Sequence, residues 1–327
     1  MKLRDTDYLY ATMRVRVNEK SLLTAQKIER MCDARTAEEA GKILSESGYG
    51  DFAVSSFSEV ERAICAMRAD TMKLIAEICQ NTYIAEVFAL KYDFHNIKTV
   101  IKAELTSSDP ERLLSDSSLI PKDELLRAVR AEDMSALPEK MAAAFSEARD
   151  TLAHTGDPQL ADFILDNACF AMMADAAKAS QSEFLQGYVS LMADAANLRT
   201  AVRACRQGRG AEVLGACLVS GGSIDKNVFL TFDFESGFSA TSLAAAAELG
   251  AAAAKGDTGL LEFERELDNA LIKYMQSAKY VAFDERPIIA YIAAKESEAM
   301  AVRIIMAGKL EGLSCDEIRS RLRINHV

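Results

Sequence analysis

The side chains best suited to chemistry are few in this sequence and lie far apart. The three histidines, His95, His154 and His326, make no metal-ligand spacing with each other or with the seven cysteines. Those cysteines (Cys32, Cys65, Cys79, Cys169, Cys205, Cys217 and Cys315) are odd in number and never form C-x-x-C. They read as reduced, mostly buried thiols of a cytosolic protein. No G-x-x-x-x-G-K-[ST] phosphate loop is present, and Gly208-Arg209-Gly210 lacks the third glycine of a dinucleotide fingerprint. Glu296 and Glu298 flank Ser297, but an i, i+2 spacing on a helix turns the two carboxylates to different faces, against a shared acid/base pair. The expectation is therefore no catalytic, cofactor or metal residue, and no enzyme.

A polar pattern recurs instead. Residues 93–103 begin Asp93-Phe-His-Asn96-Ile97-Lys98 and continue to Lys102; residues 194–204 begin Asp194-Ala-Ala-Asn197-Leu198-Arg199 and continue to Arg203, an offset of 101 residues. A third copy, Glu298-Ala-Met-Ala301-Val302-Arg303, lies 104 further on and has alanine where the others have asparagine. An independent match, Leu165-Asp166-Asn167-Ala168 with Leu267-Asp268-Asn269-Ala270, keeps nearly the same phase, as does Glu59–Ile64 with Glu262–Leu267. Three copies imply three related units. On a helix the acid and the amide share one face and the basic residues form another stripe. Two readings stay open: a structural node, with the acid capping a helix start and the amide fixing a helix contact, or a binding determinant. Catalysis is disfavoured, since an active site is one asymmetric constellation.

The elements that carry these residues are helices. Apolar residues recur at i, i+3, i+4 and i+7, and half of the 327 residues are hydrophobic, so an all-α fold with at most minor strands is expected. Capping boxes are read at Thr36/Glu39, Ser58/Glu61 and Ser314/Glu317, and acid-proline starts at Asp109-Pro110 and Asp157-Pro158. Glycine stops fall at Gly48 to Gly50, Gly208, Gly221-Gly222, Gly256 and Gly308. Four of five prolines cluster at 110–158, behind a polar run that marks a boundary near 106. The repeats divide the chain into domains 1–106, 107–210 and 211–327.

A net charge of −11 supplies no basic footprint for nucleic acid. The start of the chain goes straight to charges, without the apolar core of a secretory signal. No apolar run reaches the ~18–20 residues of a membrane span, so any membrane role is peripheral. Near the start, Arg14 and Arg16 form a basic pair read as preceding an amphipathic helix, either solvated beside packed tyrosines and leucines or part of an interaction edge.

The opening Tyr8…Arg14-Val15-Arg16…Leu22-Leu23, the Asp93 and Asp194 nodes and the closing Lys295-Glu296-x-Glu298…Arg303-Ile304-Ile305…Lys309-x-x-Gly312-Leu313 together resemble the C subunit of the prokaryotic V-type (A/V-type) ATPases, known as the d subunit in eukaryotes. The resemblance spans essentially the whole chain. It implies a funnel of three similar helical domains with pseudo-threefold symmetry, on the cytoplasmic end of a membrane rotor ring. Such a subunit is a non-catalytic socket: it receives the central shaft of the soluble ATPase head and ties it to the ring, passing torque between ATP chemistry and ion flow. It is peripheral to the cell membrane and needs no cofactor. Departures are Ala301 and the proline-bearing stretch 106–158. In such a socket, Lys98, Lys102, Arg199, Arg203 and Arg303 are candidates to ring a central opening toward an acidic shaft, against the alternative that they pair with neighbouring acids. A helical-repeat adaptor of another complex and a helical enzyme with an unrecognised site are the rival classes.

Overall fold

A computed structural model describes residues 3–50 and 56–324; His326 lies outside them. Among the described residues all regular structure is helical. The chain forms two compact units, 1–81 with 260–327, and 82–259. In chain order, the first unit begins with α1 (Leu9–Asn18), α2 (Ala25–Asp33), α3 (Ala37–Glu46) and α4 (Phe57–Ile78). The second unit holds α5 (Thr82–Thr106), α6 (Lys122–Ala131), α7 (Glu139–Thr155), α8 (Pro158–Ala179) and α9 (Glu183–Arg206). It continues with α10 (Ala211–Cys217), α11 (Lys226–Leu230), α12 (Phe234–Phe238) and α13 (Ala244–Lys255). The chain then returns to the first unit with α14 (Leu260–Gln276), α15 (Arg286–Leu310) and α16 (Cys315–Arg321).

Within the first unit, α15 packs along α4 and α14 over a core of Leu23, Met31, Leu44, Val60, Ile64, Val302, Ile305 and Ile318. Within the second, α8 lies between α5 and α7, and α9 packs on α8 and α13. Burying these apolar faces is what holds short helices such as α11 and α12, which five residues of propensity could not sustain. Phe229 and Phe238 from those two helices meet edge to face at 5.7 Å. The matched positions Ile64, Leu165 and Leu267 are all fully buried.

Several local expectations shift. Thr36, Ser314 and Asp157 cap α3, α16 and α8 as read. The box that opens α4 is Ser56/Glu59, two residues before Ser58/Glu61; Ser58 already lies inside the helix, and the Glu61 carboxylate pairs with Arg303. Asp109-Pro110 opens only a 3-10 turn, Glu111–Leu113. Gly308 is no stop: it sits inside α15 under Ile318, whose Cγ1 a Cβ there would meet at 2.6 Å, and the left-handed glycine after α15 is Gly312. Arg14 and Arg16 lie within α1 rather than ahead of it.

Candidate functional site

Asp93, Asp194 and Glu298 stand in the middles of the long helices α5, α9 and α15, not at helix starts, and all three are buried. A buried carboxylate needs donors, and each finds them in a loop. Asp93 Oδ1 accepts the Ile120 N–H (2.9 Å). Asp194 accepts the N–H groups of Ser223 (3.0 Å) and Ile224 (3.1 Å) and the Ser223 hydroxyl (2.7 Å). Glu298 Oε1 accepts the Leu23 N–H (2.9 Å). Leu23, Ile120 and Ile224 all lie two residues ahead of a helix, α2, α6 and α11 respectively. The acid therefore seats the chain segment that leads into the next helix.

The asparagines grip the same loops upstream. Asn96 accepts the Ser115 N–H (2.7 Å) and donates to the Ser115 carbonyl (3.0 Å); Asn197 does the same with Val219 (2.8 and 3.0 Å). One primary amide thus satisfies both backbone groups of a buried residue, its oxygen accepting and its N–H₂ donating. Ala301 has no such task beside the loop that Glu298 seats. The chain before Leu23 is α1 followed by a 3-10 turn, and the Leu22 N–H bonds internally to the Glu19 carbonyl (3.1 Å). A second amide pair, unassigned by sequence reasoning although its motif repeats, completes the scheme: Asn167 accepts the Ser220 N–H (3.2 Å) and Asn269 the Ile324 N–H (2.9 Å).

The nodes differ electrostatically. Asp194 is fully engaged, and Gly222 lies so close that a Cβ there would collide with Asp194 Oδ1. Asp93 keeps one oxygen, Oδ2, without a partner; burial pushes its carboxyl up to about 6, opposed by the Ile120 and Leu119 amides. Glu298 is ion-paired with Lys295 (2.8 Å), itself buried. The Tyr49 ring lies 5.5 Å from that ammonium, and burial drives the Tyr49 phenol strongly upward.

Three of the five repeated basic residues pair with acids of their own unit. Lys98 bonds Asp166 (2.6 Å), Lys102 bonds Asp162 (2.8 Å), and Arg303 grips Glu61 with two nitrogens (2.5 and 2.6 Å). Arg199 is half-buried and Arg203 exposed on α9. Arg16 pairs with Glu19 and donates to the carbonyls of Ala278, Lys279 and Val281, tying the loop after α14 to α1. Arg14 is exposed on α1.

Among the described residues no three His, Cys, Asp or Glu side chains are placed to hold a metal ion. Burial pushes the Cys32 thiol up to about 11 and Cys169 to about 12, away from thiolate reactivity. A cavity of about 480 Å³ in the first unit, beside Ala294, Ala301, Ile304 and Ile28, has mostly apolar walls. The charged groups at its edge are engaged: Glu298 by Lys295, Arg319 by Glu29 and Asp33, Arg323 by Asp268. No described helix is long and apolar enough to cross a membrane.

Buried polar residues that serve loops of their own chain, on a frame that is helical throughout the described residues, define a helical scaffold. Residues 11–321 match the family described as ATP synthase (C/AC39) subunit, and the chain belongs to that family. It is 23% identical to the C subunit of a V-type sodium ATPase from Enterococcus hirae, over 94% of this chain and 96% of that protein. It is 24% identical to the C subunit of an A-type ATP synthase from Methanocaldococcus jannaschii (96% and 86% covered), and 25% identical to that of a V-type ATP synthase from Thermus thermophilus (94% and 95%).

Proposed function

We propose that this chain is the non-catalytic rotor linker of a V/A-type ATPase or ATP synthase, joining the central shaft of the soluble head to the membrane rotor ring. The observation that carries this reading is the family match over residues 11–321 of 327, on a frame whose buried polar groups hold its own loops. A linker must pass torque without yielding, and loops bracketed at both backbone groups by Asn96 and Asn197 give stiffness where a chain would otherwise fray. We further propose that the three sequence repeats, 1–106, 107–210 and 211–327, form a pseudo-threefold funnel. Its support is that Asp93, Asp194 and Glu298 each seat the residue two places ahead of a helix. The complex would hold the chain peripherally at the cytoplasmic face of the cell membrane.

The test is to purify the ATPase complex with and without this chain. With it, ATP hydrolysis drives ion uptake into vesicles; without it, the head should hydrolyse ATP while uptake is lost. ATP hydrolysis by the chain alone, or full coupling in its absence, overturns the reading.

A further inference from the structure

The outer face of α1 is apolar although it faces solvent. Its inner face is already buried through Ala11, Thr12 and Val15. On the other side Tyr10, Met13 and Val17 are 63%, 60% and 63% exposed. Their i, i+3, i+7 spacing aligns them in one stripe about 10 Å long, at a rise of 1.5 Å per residue. Beside it, the loop that Arg16 and Thr12 anchor to α1 holds out Tyr280, 90% exposed, and Phe283. A helix that is apolar on both faces is one that expects cover on both.

The charges along the stripe indicate what covers it. Arg14 lies on the same face as Tyr10 and Val17, and Lys20 and Lys279 are exposed nearby. Unlike Lys98, Lys102 and Arg303, these three cations have no carboxylate partner among the described residues. In a chain of net charge −11 this is a local positive edge around an apolar seam. A narrow 3-4 stripe with a cation inside it matches the ridge of a second helix carrying acids beside its own apolar row. It matches a bilayer less well, where a broad uncharged face would be favoured.

We propose that the α1 face of Tyr10, Met13, Arg14 and Val17, extended by Tyr280 and Phe283, is a docking seam for one helix of another subunit, with an apolar stripe edged by Asp or Glu. This rests on the linker reading and adds where, and with what chemistry, the linker is held. The face is preformed, since Arg16 and Thr12 fix the loop that completes it.

The experiment uses the assembled complex, recovered through a tag on this chain, with the photocrosslinker p-benzoylphenylalanine at position 10 or 17. Both positions should crosslink to the same helical segment of another subunit, within one turn of an Asp or Glu. Met13→Asp and Arg14→Glu should each lower recovery of that subunit at least tenfold, with circular dichroism and melting of the free chain unchanged. Crosslinks confined to lipid, to this chain or to a second copy of it overturn the seam, as does undiminished recovery with both variants. If the unsubstituted chain recovers its ATPase partners while the seam tests fail, only the seam is refuted. If it recovers none, the linker reading fails and the seam with it.

Discussion

Replacing Asp93 by asparagine should change how stability depends on pH in a direction opposite to the usual carboxylate. Asp93 is 2% exposed, forms no ion pair among the described residues, and has a carboxyl raised from 3.8 to about 6 in the folded chain, burial being the largest cause. For a raised acid the folded state holds more protons than the unfolded state between those two values. Stability therefore falls as pH rises from about 4 to about 6 and stays low above it. A rise of that size corresponds to roughly 3 kcal/mol, of which about 2 kcal/mol lies between pH 4.5 and 7.5. Asparagine keeps an oxygen for the Ile120 N–H but cannot ionise. Its own cost, an amide N–H₂ placed where Oδ2 has no partner, is independent of pH and cancels when the two pH values are compared. Urea unfolding of parent and Asp93→Asn, followed by circular dichroism at pH 4.5, 6 and 7.5, reads the difference. The variant should gain about 2 kcal/mol relative to the parent from the lowest to the highest pH. A difference that stays constant across the range, or runs the other way, would refute the argument that burial dominates at this carboxylate.

Other substitutions probe the same scaffold. Asn197→Ala strands the N–H and C=O of Val219 in the interior and should cost about 2–4 kcal/mol, with faster amide exchange across 218–224, read by hydrogen-exchange mass spectrometry. Gly222→Ala should lower the melting temperature by several degrees through its collision with Asp194, a loss of about 1–3 kcal/mol, and Asp194→Asn in the same background should not restore it. Lys98→Met, by contrast, removes a partly solvated pair with Asp166 and should change urea stability by less than about 1 kcal/mol. An effect several times larger would mean that the repeated cations do more than pair with neighbours.

The helical class and the three node acids were legible because both leave marks on side-chain identity: a 3.6-residue period, and Asp, Asp and Glu recurring about a hundred residues apart. What the acids bind was not legible. Their partners are backbone amides of Leu23, Ile120 and Ile224, and a backbone group has no letter in the sequence. The loops carry only a faint mark: Leu114-x5-Ile120-x-Lys122 recurs as Leu218-x5-Ile224-x-Lys226, and Gly222 has no side chain where Asp194 needs room. Helix-start reasoning misplaced the opening of α4 for a related reason. Ser56/Glu59 and Ser58/Glu61 are equal as local motifs two residues apart, and in the fold Glu61 pairs instead with Arg303, 242 residues away. Gly308 misled similarly, since its role is to admit Ile318 against α15 and not to end the helix. The basic stripe was found but its carboxylate partners were not, because Asp162, Asp166 and Glu61 lie on other helices.

Arg303 reaching Glu61, Glu298 reaching Leu23 and Lys309 reaching the Cys32 carbonyl close one unit across nearly the full length of the chain. That arrangement imposes an order on synthesis. Residues 82–259 are contiguous and can collapse as soon as they clear the ribosome, whereas helices α1 to α4 must wait, apolar faces open, until α14 and α15 follow. During that interval the early helices expose apolar surface that favours aggregation. A chain ended before Arg286 lacks α15, and with it every one of the three contacts that close this unit.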